Sequence, residues 1–289
     1  MIQYDSKNWL MGIFSARTAM FKLLLNNIIL ITIYSALVVY VNLDLFKVDF
    51  NLTMTVHSLL GIVLGLLLVF RTNTAYERWW EGRKLLGTMV NSTRNWALKL
   101  NAILPLQDTE NRRWFADMIP NYCFAMKEHL RNGVKFEELK GLNTTMEHNL
   151  RKRRHVPNHI AGYLYERTYK LHKEGIIGME QFLTLNSHLE NLTDTVGACE
   201  RIKKTPIPYS YSVHLKQFIF VYLLTFPFAI MHELKYFTVI ASAILFYAFV
   251  GLELMGEEIE DPFGTDANDL PTDEICKVIR HNIHEILHV

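Results

Sequence analysis

Two runs without a charged residue, Leu23–Leu43 and Asn51–Phe70, constrain this chain more than any other feature in it. Each is long enough to cross the hydrocarbon core of a bilayer, which takes roughly 20 apolar residues in a helix. Only residues 44–50 separate them, so they predict an antiparallel transmembrane hairpin. A second pair lies far downstream. Gln217–His232 and Tyr236–Leu252 are also charge-free, and His232-Glu-Leu-Lys235 joins them. Both are shorter than an ideal span, a gap that snorkelling flanks can close. Pro227 weakens the third segment in a way that neighbouring helices tolerate. The competing reading of this pair is a buried hairpin in a soluble domain.

Half of the 289 residues are hydrophobic and the formal net charge is +1, so no global charge points to nucleic acid. Cys123, Cys199 and Cys276 are far apart and form no CxxC pair, which argues against a disulfide framework. Between the hairpins, helical periodicity recurs in Trp79–Leu100 and Arg112–Leu130, after Pro157-Asn158, and in Ile176–Arg201. Residues 132–141 and 203–208 look like breaks, and strand signals are weak. The expected fold is all-α in four parts. These are an N-terminal segment and hairpin (1–71), a helical region (72–216), a second hairpin (217–256) and a C-terminal segment with a helix (257–289).

Basic residues set the expected orientation. Lys7, Arg17 and Lys22 precede the first span, and Arg71, Arg78, Arg83, Lys84 and Arg94 follow the second. The short connection has Lys47 alone, beside Asp44 and Asp49. The positive-inside rule then puts both termini and the region 72–216 in the cytoplasm. His57, inside the second span, reads as a neutral, hydrogen-bonded group.

On the second span, Ile62, Leu66 and Phe70 recur every four residues and share one helical face. Gly61 and Gly65 form a small-xxx-small pair beside it, which lets helices approach closely. Such a stripe is common in ordinary helix packing. It is also what a ring of helices needs to close an apolar constriction, which can gate by dewetting.

The stretch that follows, Arg71-Thr-Asn73-Thr-Ala-Tyr76-Glu77-Arg78-Trp79-Trp80-Glu-Gly-Arg83, resembles the signature of the bestrophin family, particularly its bacterial branch. Gly197-Ala-Cys-Glu-Arg-Ile202 with Thr205-Pro-Ile-Pro-Tyr209 resembles the family's junction before the second hairpin. Asp261-Pro-Phe-Gly264 with Asn268-Asp-Leu-Pro271 resembles its post-membrane motif. The resemblance covers nearly the whole chain. It implies a homopentameric ion channel in the inner membrane of a bacterium, with a large helical cytosolic part. It also implies a hydrophobic neck, whose positions fall on Ile62, Leu66 and Phe70.

A second, cytosolic aperture of the family falls near Glu180, with Ile177 and Thr184 as the alternatives one turn away. The family position is usually apolar or small, so a carboxylate there is a departure. A five-fold ring of carboxylates favours cations. The expected permeant species are therefore monovalent cations, with anion conduction as the second choice. For Arg71, Glu77 and Arg78, interface anchoring competes with an ion-pair network. Eukaryotic members follow Pro-Phe-Gly with a dense acidic run that helps bind calcium. This chain keeps only Asp266 and Asp269, too few for the six to eight oxygens calcium favours, so no metal site and no cofactor are assigned.

Two other readings remain. One is a membrane scaffold that assembles without conducting. The other is a zinc hydrolase, because His284-Glu285-Ile-Leu-His288 spells HExxH. Only Val289 follows, no third ligand is indicated, and Ile275, Ile279, Ile283 and Ile286 explain the segment as an amphipathic helix. An enzyme is not expected.

Overall fold

The computed structural model describes residues 19–45 and 53–289, and every regular element among them is helical. Helix α1, Ala19–Tyr40, runs into a π-helical turn, Val41–Leu45. There follow α2 (Met54–Ile103), α3 (Thr109–His129), α4 (Thr144–Arg151), α5 (Val156–Lys173) and α6 (Met179–Lys204). The last three are α7 (Tyr209–Leu234), α8 (Phe237–Glu260) and α9 (Thr272–Leu287). Four helices are long and apolar enough to cross a membrane: α1 with its π-turn, α2, α7 and α8. Lys7, Arg17, Lys47, Asp49 and the side chain of Lys22, all used for orientation, lie outside the described residues, as do Asn51 and Leu52 at the expected start of the second span.

The largest difference from the sequence reading is α2, a single helix of 50 residues. By polarity alone the second span ends at Phe70-Arg71 and a separate helix begins near Trp79. A change from apolar to charged residues alters what surrounds a helix but gives it no stop signal. No proline lies between Met54 and Ile103, and the helix ends just ahead of Pro105. The second pair of spans is also longer than its charge-free runs. α7 starts at Tyr209 rather than Gln217, and α8 continues past Leu252 to Glu260. Lys216, Glu253 and Glu257 belong to these helices, which removes the shortfall in length.

The described chain divides into two compact units. One comprises the residues up to Arg78 with Pro206–Glu260; the other comprises Trp79–Thr205 with Asp261–Val289. In the first, α1 packs on α7 and α8, and α7 packs on α8. Leu64 and Leu68 of α2 enter a cluster with Leu215, Ile219, Tyr222 and Leu223 of α7. Small groups set the close contacts. The Ser35 and Ser242 hydroxyls pair at 3.1 Å between α1 and α8. At Gly61 a Cβ would sit 2.5 Å from the Tyr222 hydroxyl and would displace that ring, whereas Gly65 has open space around it. His57 is buried and stacks on Tyr222 with ring centroids 4.1 Å apart.

In the second unit, α3 is sandwiched by α5 and α9, and α6 packs on α5. Trp96, Phe115, Met118, Tyr122, Leu164, Leu189, Ile279 and Ile283 fill its core. Helix starts are capped locally. The Asp108 and Asn143 carboxylate and amide oxygens accept the N–H of Asn111 and Met146, three residues on. Cys123, Cys199 and Cys276 are buried free thiols, and burial pushes Cys199 and Cys276 up to about 12. They are packing groups at neutral pH, not nucleophiles.

Candidate functional site

The stripe Ile62, Leu66, Phe70 is exposed on α2, at 70%, 55% and 55%. On the opposite side Leu64 and Leu68 are fully buried against α7. Helical spacing continues the exposed stripe to Asn73 and Glu77, which are exposed too. One chain thus presents three large apolar side chains, then an amide and a carboxylate, along one face of a rigid helix. A monomer in water would not leave such a face uncovered, and lipid would not welcome its polar end.

Arg71 directly follows this stripe but points the other way. Its guanidinium is buried at 2% exposure and donates from Nη2 to Glu260 Oε2 at 2.5 Å. Glu260 is a hub. Its Oε1 accepts the backbone N–H of Ile207 at 2.6 Å, and its carbonyl accepts from Arg78 Nε at 3.1 Å. Arg71 and Arg78 belong to the first sequence motif, Ile207 to the second, and Glu260 precedes the third. Gly256 of α8 faces Arg71, and a Cβ there would lie 3.7 Å from Arg71 Cγ, an ordinary contact. The network includes Arg71 and Arg78. Glu77 is exposed on the stripe. Sequence reasoning missed Glu260, although a buried arginine demands a carboxylate or several carbonyls.

The third motif forms a turn of its own in the second unit. The Asp269 carboxylate accepts the N–H of Asp266 at 2.7 Å, and Leu270 N–H bonds Pro262 O at 2.9 Å. A Cβ at Gly264 would stand 2.6 Å from Asp269 Oδ2. The Trp79 indole donates to Asn268 O at 3.0 Å, and Gly82 leaves room for Pro262, Phe263 and Leu270 against α2. Tyr76 and Trp80 are exposed on the same helix. Asp266 and Asp269 therefore serve as a turn lock, and Arg131 holds the turn by donating to the carbonyls of Phe263 and Gly264 at 3.1 Å each.

Beyond that turn, Lys127 gathers three carboxylates. Its ammonium, 3% exposed, lies 2.6 Å from Asp273, 2.8 Å from Glu138 and 2.9 Å from Glu128. Arg131 pairs with Asp273 at 2.8 Å and with Glu128 at 3.2 Å. This cluster clamps the start of α9 onto α3. Burial raises the Asp273 carboxyl, but hydrogen bonds from Arg131 and Lys127 outweigh it and hold it at about 2. The unfolded chain takes up this proton near pH 4. The stabilisation is therefore complete above pH 4 and is lost as pH falls from about 4 to about 2. Thermal unfolding of wild type and Asp273→Asn at pH 6 and pH 3 checks this: the gap between them narrows at the lower pH.

The aperture candidates separate by exposure. Ile177 is 1% exposed in the core, so its own chain encloses it and it cannot line an exit. Glu180 and Thr184 are exposed on the first turns of α6. The HExxH residues do not form a zinc pair. α9 ends at Leu287, and His288 is its left-handed cap at φ 57°, off the helical face that carries His284. His284 turns instead to Asp117, 3.4 Å away. Cys276, Ile279, Ile283 and Leu287 are buried, as an amphipathic terminal helix requires.

The family profile described as Bacterial/Fungal Bestrophin protein matches residues 1–285. A voltage-dependent anion channel-forming protein of Nostoc sp. is 34% identical over 284 residues, which is 97% of this chain and 92% of that protein. A protein of the same description from Synechocystis sp. is 38% identical over 233 residues, 79% of this chain and 76% of that one. The crystal structure of a variant of a bacterial bestrophin homologue from Klebsiella pneumoniae superposes with a TM-score of 0.86 at 26% identity. That match covers 92% of this chain and 99% of that one. The exposed apolar stripe, the Glu260 hub and the locked turn are thus features of a membrane protein whose relatives are channels and not enzymes: the chain belongs to the bacterial and fungal bestrophin family of ion channels.

Proposed function

We infer that this chain forms a homopentameric channel in a bacterial inner membrane, with five α2 helices around the conducting axis and both termini in the cytoplasm. The observation that carries this is the exposed stripe of α2. Ile62, Leu66 and Phe70 form the neck, and Asn73 and Glu77 line the widening path beyond it. An apolar neck controls opening by dewetting and does not choose an ion by charge. The permeant species are monovalent cations. From Met179 to Glu200 the charged residues of α6 are Glu180, Glu190, Asp194 and Glu200, and no lysine or arginine occurs before Arg201. Glu180, exposed in the first turn, forms the exit ring, with Thr184 a turn behind.

The printed description of the Nostoc and Synechocystis relatives as anion channel-forming favours a second reading, anion conduction. Reversal potentials of the purified protein in a potassium chloride gradient decide between them. The expected potential lies toward that of potassium, and Glu180→Ala lowers the cation preference severalfold. A potential at the chloride value, in wild type, establishes the second reading. A selectivity unchanged in Glu180→Ala removes that residue from the filter.

A further inference from the structure

In the second unit two histidines and a glutamate converge in a way that neither the pore nor the hub uses. His129 is the last residue of α3, His155 is the residue that caps α5, and Glu200 lies one turn before the end of α6. His129 Nε2 stands 2.6 Å and His155 Nε2 2.9 Å from the same oxygen, Glu200 Oε1. The two imidazole rings lie 4.4 Å apart at a tilt of 33°. The three ligand atoms fall within 4.8 Å of one another. Side-chain exposures of 20%, 30% and 18% leave the group anchored yet reachable from solvent.

We propose that His129, His155 and Glu200 form a binding site for a divalent transition metal of the zinc class. Two imidazoles and one carboxylate are a known zinc donor set, with water in the fourth position. Imidazole also discriminates against magnesium and calcium, which prefer oxygen alone. The present distances are those of hydrogen bonds, with both rings donating to the carboxylate. On metal binding each Nε2 gives its proton to solvent, and a ring whose Nδ1 carries none, as in His155, takes one up there and stays neutral. The Nε2 lone pairs and Oε1 turn to the ion, and the three groups separate slightly.

Two neighbours adjust. Lys204 holds the other carboxylate oxygen, Oε2, at 2.8 Å and can stay, orienting Glu200 from outside the coordination sphere. His155 Nδ1 accepts the N–H of Asn158 at 3.2 Å, which already aims Nε2 into the cluster. Coordination through Nε2 places the proton on Nδ1, so this cap bond is given up. Asn158 is exposed, and water takes its N–H. Three hydrogen bonds, the two to Glu200 Oε1 and the long one at the helix start, are exchanged for three metal bonds. The ion then ties the ends of α3 and α6 to the start of α5. Glu200 lies within the Gly197–Ile202 motif, so the site sits on the stretch that leads toward the second hairpin. None of this depends on the pore reading.

The test uses the whole protein purified in detergent, stripped with chelator and dialysed against zinc. Elemental analysis should find one zinc per chain. Cobalt substituted for zinc should give the visible absorption of a four-coordinate nitrogen and oxygen site. His155→Asn keeps a capping side chain and removes the ligand. His129→Gln keeps a donor to Glu200 and removes the imidazole. Each should weaken zinc binding at least tenfold, whereas His288→Gln, at the HExxH segment, should leave it unchanged. Absence of stoichiometric zinc from the wild type, or full retention in either ligand variant, overturns the proposal.

Discussion

Replacing Lys127 by methionine destabilises the protein by about 3 kcal/mol, because removing one partner of a buried ion pair leaves its counterparts uncompensated. The methionine fills the volume, but Glu128, Glu138 and Asp273 then face one another within 4.8 Å. Arg131 still reaches Asp273 and Glu128, and the half-exposed Asp273 is partly screened by water, so the loss stays at the lower end of the usual range. The damage is local to α9, whose first turn carries Asp273. Proteolysis in the 261–272 turn should rise, since transient opening of α9 exposes it. Adding Glu128→Gln to Lys127→Met should recover part of the loss, a coupling that two independent sites would not show. Thermal unfolding of the two single variants and the double provides the check.

Arg71→Met should cost more, about 3–5 kcal/mol, measured by thermal unfolding. The guanidinium is 2% exposed and Glu260 14% on its side chain, so the pair is shielded from water. Without Arg71, Glu260 keeps the Ile207 N–H but no buried cation. Arg71→Lys retains the charge yet lacks the planar fork, and should fall between wild type and Arg71→Met. Changing Arg71 and Glu260 together to methionine should restore much of the stability, because a buried pair is often replaceable by well-packed apolar groups. If the double variant is as unstable as the sum of the singles, the pair is not the source of the effect.

The contrast between these two clusters explains what could be read from the residues alone. The four spans were legible because an uninterrupted apolar run has few alternatives in water. The stripe of Ile62, Leu66 and Phe70 was legible because helical periodicity is local. The continuity of α2 was not, since charge at Arg71 resembles an ending when only polarity is followed; the true end came from Pro105. The pairing of Arg71 with Glu260 was hidden too, because it joins residues far apart in sequence and either could have faced solvent. Ile177 illustrates the same limit. It sits in the turn after α5, its N–H on the Leu171 carbonyl, and only that tertiary fold turns it inward while Glu180, three residues later on α6, turns out. The resemblance to bestrophins located the motifs, and the geometry shows the first two meeting at Glu260, where Arg71 and the Ile207 N–H share one carboxylate.

The exposed stripe of α2 is proposed to line the conducting path. Currents carried by the purified protein across planar lipid bilayers test it, with wild type beside the triple variant Ile62→Ala, Leu66→Ala, Phe70→Ala. Truncating all three side chains widens the neck and lets water enter it, so the variant should show a several-fold higher open probability with the assembly intact. Wild-type currents at background, with the triple variant no different, would contradict the claim.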